Sequence, residues 1–321
     1  GCKLILERAD CGCANTELSR EGSVLVDRFP LEPYLPTLLY IRPEAEQTKS
    51  RSVSGSAFVD FAVNKTDIRT NFRNNVEELR KITGTIDSVK ADKDVTITAI
   101  SIKGYASPEG SYSNNTRLAK GRTEALKRYV ENLYNFPEGL ITTSYEVEDW
   151  AGLERYVEAS TLTHKSAILD IIRSDAAPDV KEKLLRNRYS NDYLHLLEHC
   201  YPALRHSDYV IEYNVRQYSS VEEIERIMNT APQKLSLEEF YILAKTYGPG
   251  SEKLDELWEI AVRMYPDDEI ANFNAANSAM DKRDYERAER YLQKAGDRPE
   301  VNYSRGCIEA LREDYAAAIP Y

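Results

Sequence analysis

The sequence predicts an α+β protein, in which a sheet domain of order β-α-β-α-β carries a helical insertion and is followed by an all-α repeat region. Residues 95–102 alternate apolar and polar side chains as a strand does, and apolar residues then recur at helical spacing from Leu118 to Leu133. Helical patterns also fill residues 148–207, inside the sheet domain. From Ser220 onward every pattern is helical.

Length and charge limit the function classes. A chain of 321 residues is long enough for more than one domain. The net charge of −11, without long runs of Lys and Arg, argues against a nucleic-acid partner, because phosphate binding needs clustered positive charge. No apolar run approaches the length of a membrane span, so we expect no transmembrane segment.

The cysteines leave alternatives open. They are Cys2, Cys11, Cys13, Cys200 and Cys307. A disulfide to Cys2 and free thiols are equally compatible with this spacing. Cys2 is either the lipidated first residue of a lipoprotein or an ordinary cysteine at a trimmed end of the chain.

The N-terminal region, residues 1–50, is predicted to be a β-rich fragment with a linker. Residues 3–8 and 23–28 are short β-like runs separated by a polar turn region, and Pro30, Pro33 and Pro36 follow. The polar residues 44–56 are typical of a linker.

Residues 51–217 are predicted to form the sheet domain. Its predicted elements are a strand at 57–63, a helix at 74–90, the strand at 95–102, a loop opened by Gly104 with a long helix after it, a strand at 140–147 and a closing strand at 209–215. The insertion at about 148–207 is predicted to hold four short amphipathic helices, one of them beginning at Pro178.

The loop after the central strand resembles that of a known family. The residues that carry the resemblance are Gly104, Tyr105, Ala106, Ser107, Gly110, Asn115, Leu118 and Arg122. Their spacing resembles the C-terminal OmpA-like domain family, a periplasmic module that binds peptidoglycan. Residues 1–50 are in turn similar to the end of an uncharacterised β-domain that precedes such modules.

The resemblance implies a ligand site. In the family an aspartate and an arginine clamp the ammonium and the carboxylate of the diaminopimelate in the peptidoglycan stem peptide. Here Ser107 replaces the aspartate, and Arg122 matches the arginine. We therefore expect the carboxylate between Arg122 and the amides of the loop from Ser107 to Gly110, the ammonium at Glu109, and Asn115 orienting loop or ligand.

The segment before the closing strand is a second departure from the family. The family carries a pair of arginines there, where this chain has Arg205 followed by His206.

The C-terminal region, residues 218–321, contains an internal repeat. Ala276, Tyr285 and Ala288 are matched at the same spacing by Gly306, Tyr315 and Ala318. This spacing resembles tetratricopeptide repeats, whose small residues let paired helices approach closely. The resemblance implies a surface that holds a protein partner. Ser220 with Glu223, and Ser236 with Glu239, are predicted capping boxes at two helix starts.

No catalytic motif is present, and we expect no enzyme and no cofactor. The chain lacks the phosphate-binding, nucleophile-elbow and zinc-protease patterns. The best metal candidate is His195, His199 and Cys200, because residues four apart share a helix face. Tyr193, Leu197 and Cys200 form the apolar stripe there, which directs both histidines to solvent, so we expect no metal site.

Two functional hypotheses follow. The first is a non-enzymatic protein of the periplasm or outer membrane that associates with peptidoglycan and holds a protein partner on its repeats. The second is a scaffold for outer-membrane or surface-appendage assembly, whose peptidoglycan site has decayed.

Overall fold

A computed structural model describes the backbone of residues 3–11 and 16–24 and the complete residues 36–321. The chain divides into two compact units, one formed by Gly1–Pro43 with Phe240–Tyr321 and the other by Glu44–Glu239. Residues 218–239, which the sequence analysis grouped with the repeats, therefore belong to the unit that contains the main sheet.

The N-terminal strands form an antiparallel pair. Strand β1 (Lys3–Cys11) pairs with β2 (Thr16–Val24), in a register that runs from Lys3 opposite Val24 to Cys11 opposite Thr16. Both strands extend into the region predicted as a turn. The remainder of the predicted second strand, residues 25–28, lies outside the described residues, as do Cys2, Cys13, Pro30 and Pro33.

The unit Glu44–Glu239 is built on a four-stranded mixed sheet. Its strands are β3 (Lys49–Ala57), β4 (Val95–Tyr105), β5 (Ile141–Glu146) and β6 (Ser207–Val215), in the order β3-β6-β4-β5. Strand β6 is antiparallel to both of its neighbours, whereas β5 is parallel to β4. Helices α1 (Asn75–Ala91) and α2 (Tyr112–Tyr134) connect these strands. The predicted α+β class and order of elements are confirmed.

The first strand of this sheet lies earlier than predicted. Strand β3 covers most of the predicted linker at 44–56, and residues 58–63 form no strand. The sequence pattern did not predict this strand, because its outward side chains are serines and its inward side chains include a single large apolar residue, Val53. Gly55 leaves room for the Tyr209 side chain, whose hydroxyl oxygen would lie 2.5 Å from a Cβ at this position. The alternation at 58–63 arises because Val59 and Phe61 pack on the core without strand pairing.

The sheet and its two helices share one apolar core. Its buried residues come from α1, the strands and α2, and they include Leu79, Ile82, Ile86, Ile100, Ile102, Leu126, Val130, Ile141, Tyr209 and Ile211. Helix α1 buries Leu79, Ile82 and Ile86 in this core, whereas Val76 is 49% exposed.

The insertion forms four helices with a core of their own. They are α3 (Trp150–Ala159), α4 (Lys165–Arg173), α5 (Pro178–Arg188) and α6 (Ser190–His199). Leu153, Ile168, Leu185 and Leu196 are among the residues buried between them. The prediction of four short helices, with Pro178 at a helix start, is confirmed.

Two helices follow the sheet. Helix α7 (Val221–Thr230) begins at Ser220, and α8 (Leu237–Ala244) follows a short 3-10 helix at Pro232–Lys234. The capping box at Ser236 is confirmed, because Glu239 N donates to the Ser236 hydroxyl and Ser236 N donates to the Glu239 carboxylate. At Ser220 only half the box forms, since the Glu223 carboxylate bonds to Arg216 instead.

A buried ion pair joins the start of β3 to the first turn of α8. Lys49 Nζ lies 2.9 Å from Glu239 Oε1, and the side chains are 0% and 4% exposed. The Lys49 ammonium also lies 4.0 Å from the centre of the Tyr218 ring. Burial lowers the pKa of Lys49, because a charged group loses its hydration there. Glu239 accepts from Tyr218 N as well, so one carboxylate holds three segments together.

The C-terminal helices repeat a helix-turn-helix arrangement. They are α9 (Glu252–Met264), α10 (Glu269–Asp281), α11 (Tyr285–Leu292), α12 (Pro299–Leu311) and α13 (Tyr315–Ala318). The α10–α11 and α12–α13 turns match: Arg283 and Glu313 have φ of 60° and 66°, and Asp284 and Asp314 cap the helices that follow. No helix in the described residues is long and apolar enough to cross a membrane.

The buried ion pair predicts a large and specific loss of stability. We expect Glu239→Gln to lower the free energy of unfolding by about 3–5 kcal/mol, because it leaves the Lys49 ammonium buried without a counter-charge. The double variant Lys49→Met/Glu239→Gln should lose clearly less free energy of unfolding than the single variant. Urea unfolding measures each value, and Glu222→Gln on the exposed face of α7 serves as the control. Equal losses in the single and double variants would show that the charge pairing is not what stabilises this contact.

The repeat helices give a second prediction. Ala276 and Ala288 are fully buried in one cluster, so Ala276→Phe should overpack it and cost roughly 1–3 kcal/mol. Thermal unfolding measures the effect, and Ala316→Phe at an exposed position is the matched control. An unchanged melting temperature for Ala276→Phe would contradict this packing.

Candidate functional site

The loop between β4 and α2 is a tight turn. Glu109 N donates to Ser107 O at 2.7 Å, and Gly110 adopts a φ of +87°, which favours glycine. Ser111 then caps α2 by accepting from Asn114 N. Because the turn is fixed at both ends, Ser107 and Glu109 have defined positions.

Asn115 ties this loop to the beginning of the insertion. Its side-chain amide donates to Ser107 O at 3.2 Å and to Glu148 Oε1 at 2.8 Å. Trp150 Nε1 donates to the other Glu148 oxygen at 2.9 Å. Burial raises the pKa of Glu148, and these two donors oppose that shift. Asn115 therefore orients the loop from within the protein.

Arg205 lies beside the loop, immediately before β6. Its Nε donates to the Ser107 hydroxyl at 3.0 Å, and its Nη2 lies 2.8 Å from Glu109 Oε2. The Arg205 and Glu109 side chains are 40% and 47% exposed. Water screens such a pair, so its contribution to stability is small, about 0.2–1 kcal/mol.

Arg122 and Arg205 line one small pocket. The other residues of this pocket are Val59, Phe61, Gly104, Tyr105, Ala119, His206 and Ser207, and none of them is acidic. Arg122 lies over the Phe61 ring at 4.9 Å, and its Nε donates to Lys65 O at 3.2 Å. No carboxylate in the described part of the chain forms a salt bridge with Arg122 within 4.0 Å.

The pocket is electropositive. Burial, aided by the neighbouring charges of Arg205 and Arg117, lowers the pKa of Arg122 to about 10. The guanidinium therefore remains charged at neutral pH, in surroundings that disfavour its charge. An anion in the pocket would supply a counter-charge to Arg122 and would stabilise its charged form.

The predicted site residues fall into two groups. Ser107, Glu109 and Asn115 belong to one hydrogen-bonded network around the loop, and Gly110 shapes its turn. Arg122 lines the neighbouring pocket, and Arg205 belongs to both.

Sequence reasoning did not assign Arg205 or Glu148 to the site. The signal for Arg205 was its place directly before the closing strand. No sequence pattern marked Glu148, which becomes part of the network only because the insertion begins beside Asn115.

The candidate metal ligands do not converge. The His195 and His199 rings lie 4.5 Å apart on α6, but Cys200 is buried in the core of the insertion. Among the residues that the structure describes, no group of three or more His, Cys, Asp or Glu side chains is arranged to hold a metal ion.

Comparison with known proteins gives no assignment. No protein-family model matches the chain, and no curated protein matches it with significant similarity.

The first glycine of the loop predicts a packing effect. A Cβ on Gly104 would overlap the Thr123 hydroxyl of α2. Gly104→Ala should therefore lower the free energy of unfolding by roughly 1–3 kcal/mol. Adding Thr123→Ala to the same chain should restore most of that loss. Chemical unfolding measures both variants. As a control, Gly84→Ala in the open middle of α1 should stabilise by about 0.5–1 kcal/mol. Failure of Thr123→Ala to restore stability would place the conflict elsewhere.

Proposed function

We propose that this is a non-enzymatic protein of the cell envelope, located in the periplasm or at the outer membrane. Its sheet unit is an OmpA-like domain that associates with peptidoglycan by binding a stem-peptide carboxylate. Its C-terminal helices form tetratricopeptide-like repeats that hold a protein partner. The single observation that carries the peptidoglycan proposal is the pocket where Arg122 and Arg205 meet without an acidic lining residue.

The motif residues support this reading. Gly104, Ser107, Asn115 and Arg122 occupy the spacing of the OmpA-like motif, on a loop between a central strand and a long helix. The loop is held by buried hydrogen bonds rather than by a ligand, so the loop is ordered in advance. A loop that is already ordered costs a ligand less ordering on binding.

The binding mode follows from the two arginines. Arg122 offers its remaining guanidinium donors to a carboxylate, and a planar fork suits that geometry. Arg205 is engaged by Glu109, but an exposed pair worth about 0.2–1 kcal/mol gives way readily to a ligand carboxylate. A ligand carboxylate in the pocket would thus meet two guanidinium groups.

The ammonium of the stem-peptide residue receives less support. Ser107 carries no charge, and Glu109 is already paired with Arg205. We therefore propose that the carboxylate dominates recognition, which departs from the expected role of Glu109 as the partner of the ammonium.

The same contacts favour a second candidate function. The Arg205 bonds to Ser107 and Glu109 satisfy the loop internally, as expected of an assembly scaffold whose peptidoglycan site has decayed. In that case all binding is to other proteins.

Co-sedimentation with purified sacculi tests the first candidate. The unmodified chain should pellet, and Arg122→Ala should remain in the supernatant, because removing one partner of a desolvated charged contact costs about 2–5 kcal/mol. Arg128→Ala, at an exposed position of the same helix, is the matched control and should pellet normally. Pelleting of Arg122→Ala at the level of the unmodified chain would overturn this assignment of the site.

Glu109→Gln separates the two proposed roles of Glu109 in the same assay. If Glu109 only competes for Arg205, this variant should pellet at least as well as the unmodified chain. Weaker pelleting would show that Glu109 contacts the ligand ammonium.

Ser107→Asp tests the scaffold alternative, since it restores the charge of the family aspartate. If the unmodified chain stays in the supernatant while Ser107→Asp pellets, the natural site is a decayed one and the scaffold function is the better account.

A further inference from the structure

Residues 36–43 lie against the C-terminal helices of their own unit without forming a helix or strand. Among the described residues, no backbone–backbone hydrogen bond holds residues 37–41 of this segment. Side chains of the helices hold it instead. The segment can therefore leave without breaking any regular secondary structure.

Asn274 of α10 clamps the backbone of this segment. Its Oδ1 accepts from Ile41 N at 2.8 Å, and its Nδ2 donates to Ile41 O at 2.8 Å. Asn274 is 0% exposed with the segment in place, so both hydrogen bonds are shielded from water. Such a two-point contact recognises extended backbone whatever side chain the residue carries.

A second subsite recognises an aromatic residue. The Tyr40 ring stacks on Trp258 of α9, with ring centres 6.2 Å apart and planes inclined by 16°. The Tyr40 hydroxyl donates to Asp281 Oδ2 at 3.1 Å. The buried Trp258 Nε1 has no hydrogen-bond partner among the described residues. This subsite therefore fits tyrosine, which combines a flat ring with a donor at its tip.

We call the surface of α9, α10 and α12 that contacts residues 37–41 the groove. Apolar contacts and a contact at Thr37 extend it. Leu38 and Ile41 pack on the buried cluster of the repeat helices, whereas Leu39 is exposed. Tyr303 of α12 donates its hydroxyl to Thr37 O at 3.1 Å. Leu38 therefore faces the groove and Leu39 faces solvent. Tyr40 and Ile41 then both contact the groove.

We propose that this groove is a peptide-binding site, which residues 37–41 occupy within the same chain. Its external partner is an extended segment of another protein that carries a tyrosine followed by an aliphatic residue. That segment displaces residues 37–41, so the chain regulates its own partner binding. This inference rests on the proposed function only in assigning a protein partner to the helical repeats.

The test uses a fluorescein-labelled peptide with the sequence of residues 36–43 and the complete chain carrying Tyr40→Ala. The substitution weakens the internal competitor, so fluorescence anisotropy should show saturable binding about tenfold tighter than to the unmodified chain. A control peptide with alanine in place of its tyrosine should not bind.

Asn274→Asp, introduced into the Tyr40→Ala chain, provides the matched loss of function. Aspartate keeps the shape of asparagine and its acceptor oxygen, but it has no N–H group to donate to the peptide carbonyl. Peptide affinity should fall about tenfold or more. Unchanged affinity would overturn the role of the backbone clamp.

Absence of saturable binding to a folded Tyr40→Ala chain would overturn the proposal, because residues 37–41 would then be a fixed part of the fold. If that chain does not fold, Tyr40→Phe, which loses only the bond to Asp281, undergoes the same titration with the same criterion. Sacculus sedimentation of each variant is measured in parallel. Lost peptide binding with normal sedimentation overturns the peptide site alone, and lost sedimentation of the unmodified chain overturns the peptidoglycan function alone.

Discussion

The insertion of β6 between β3 and β4 is the constraint on which the sheet unit depends. This last strand pairs antiparallel with both neighbours, and it brings together segments that are far apart in sequence. Its first residue, Ser207, lies opposite both Ala57 and Gly104. The register therefore fixes Arg205 and His206 beside the loop that follows β4, and the pocket exists because the sheet closes in this way.

The candidate site combines rigid and replaceable contacts. Buried bonds from Asn115 to Ser107 and Glu148 hold the loop, and they are costly to break because neither partner can return to water. The exposed Arg205–Glu109 pair is worth far less. This difference in burial is why a ligand carboxylate is expected to exchange with Glu109 without disturbing the loop.

The packing of the C-terminal helices depends on matched turns and small residues. Arg283 and Glu313 adopt left-handed backbone conformations at equivalent positions, and hydrogen bonds from Asp284 N to Ala279 O and from Asp314 N to Glu309 O close both turns. Ala276 and Ala288 are fully buried, so these helices approach closely at alanine. The same helix that carries Ala276 also presents the buried amide of Asn274 to residues 36–43.

The sequence by itself determined the elements whose side chains alternate or recur with a regular period. The central strand, both long helices of the sheet unit, the four insertion helices and the repeated helix-turn-helix all have such periods, because each buries one apolar face. The loop motif from Gly104 to Arg122 was also visible as a spacing of residues.

Only the tertiary structure decided where non-periodic segments lie and which polar groups meet. Strand β3 has serines outside and little apolar surface inside, so strand pairing with β6, not its own pattern, makes it a strand. Arg205 meets Ser107, Glu148 meets Asn115 and Lys49 meets Glu239 across long sequence separations. A period in sequence reports which face of one element is buried, but it carries no information about what lies opposite that face.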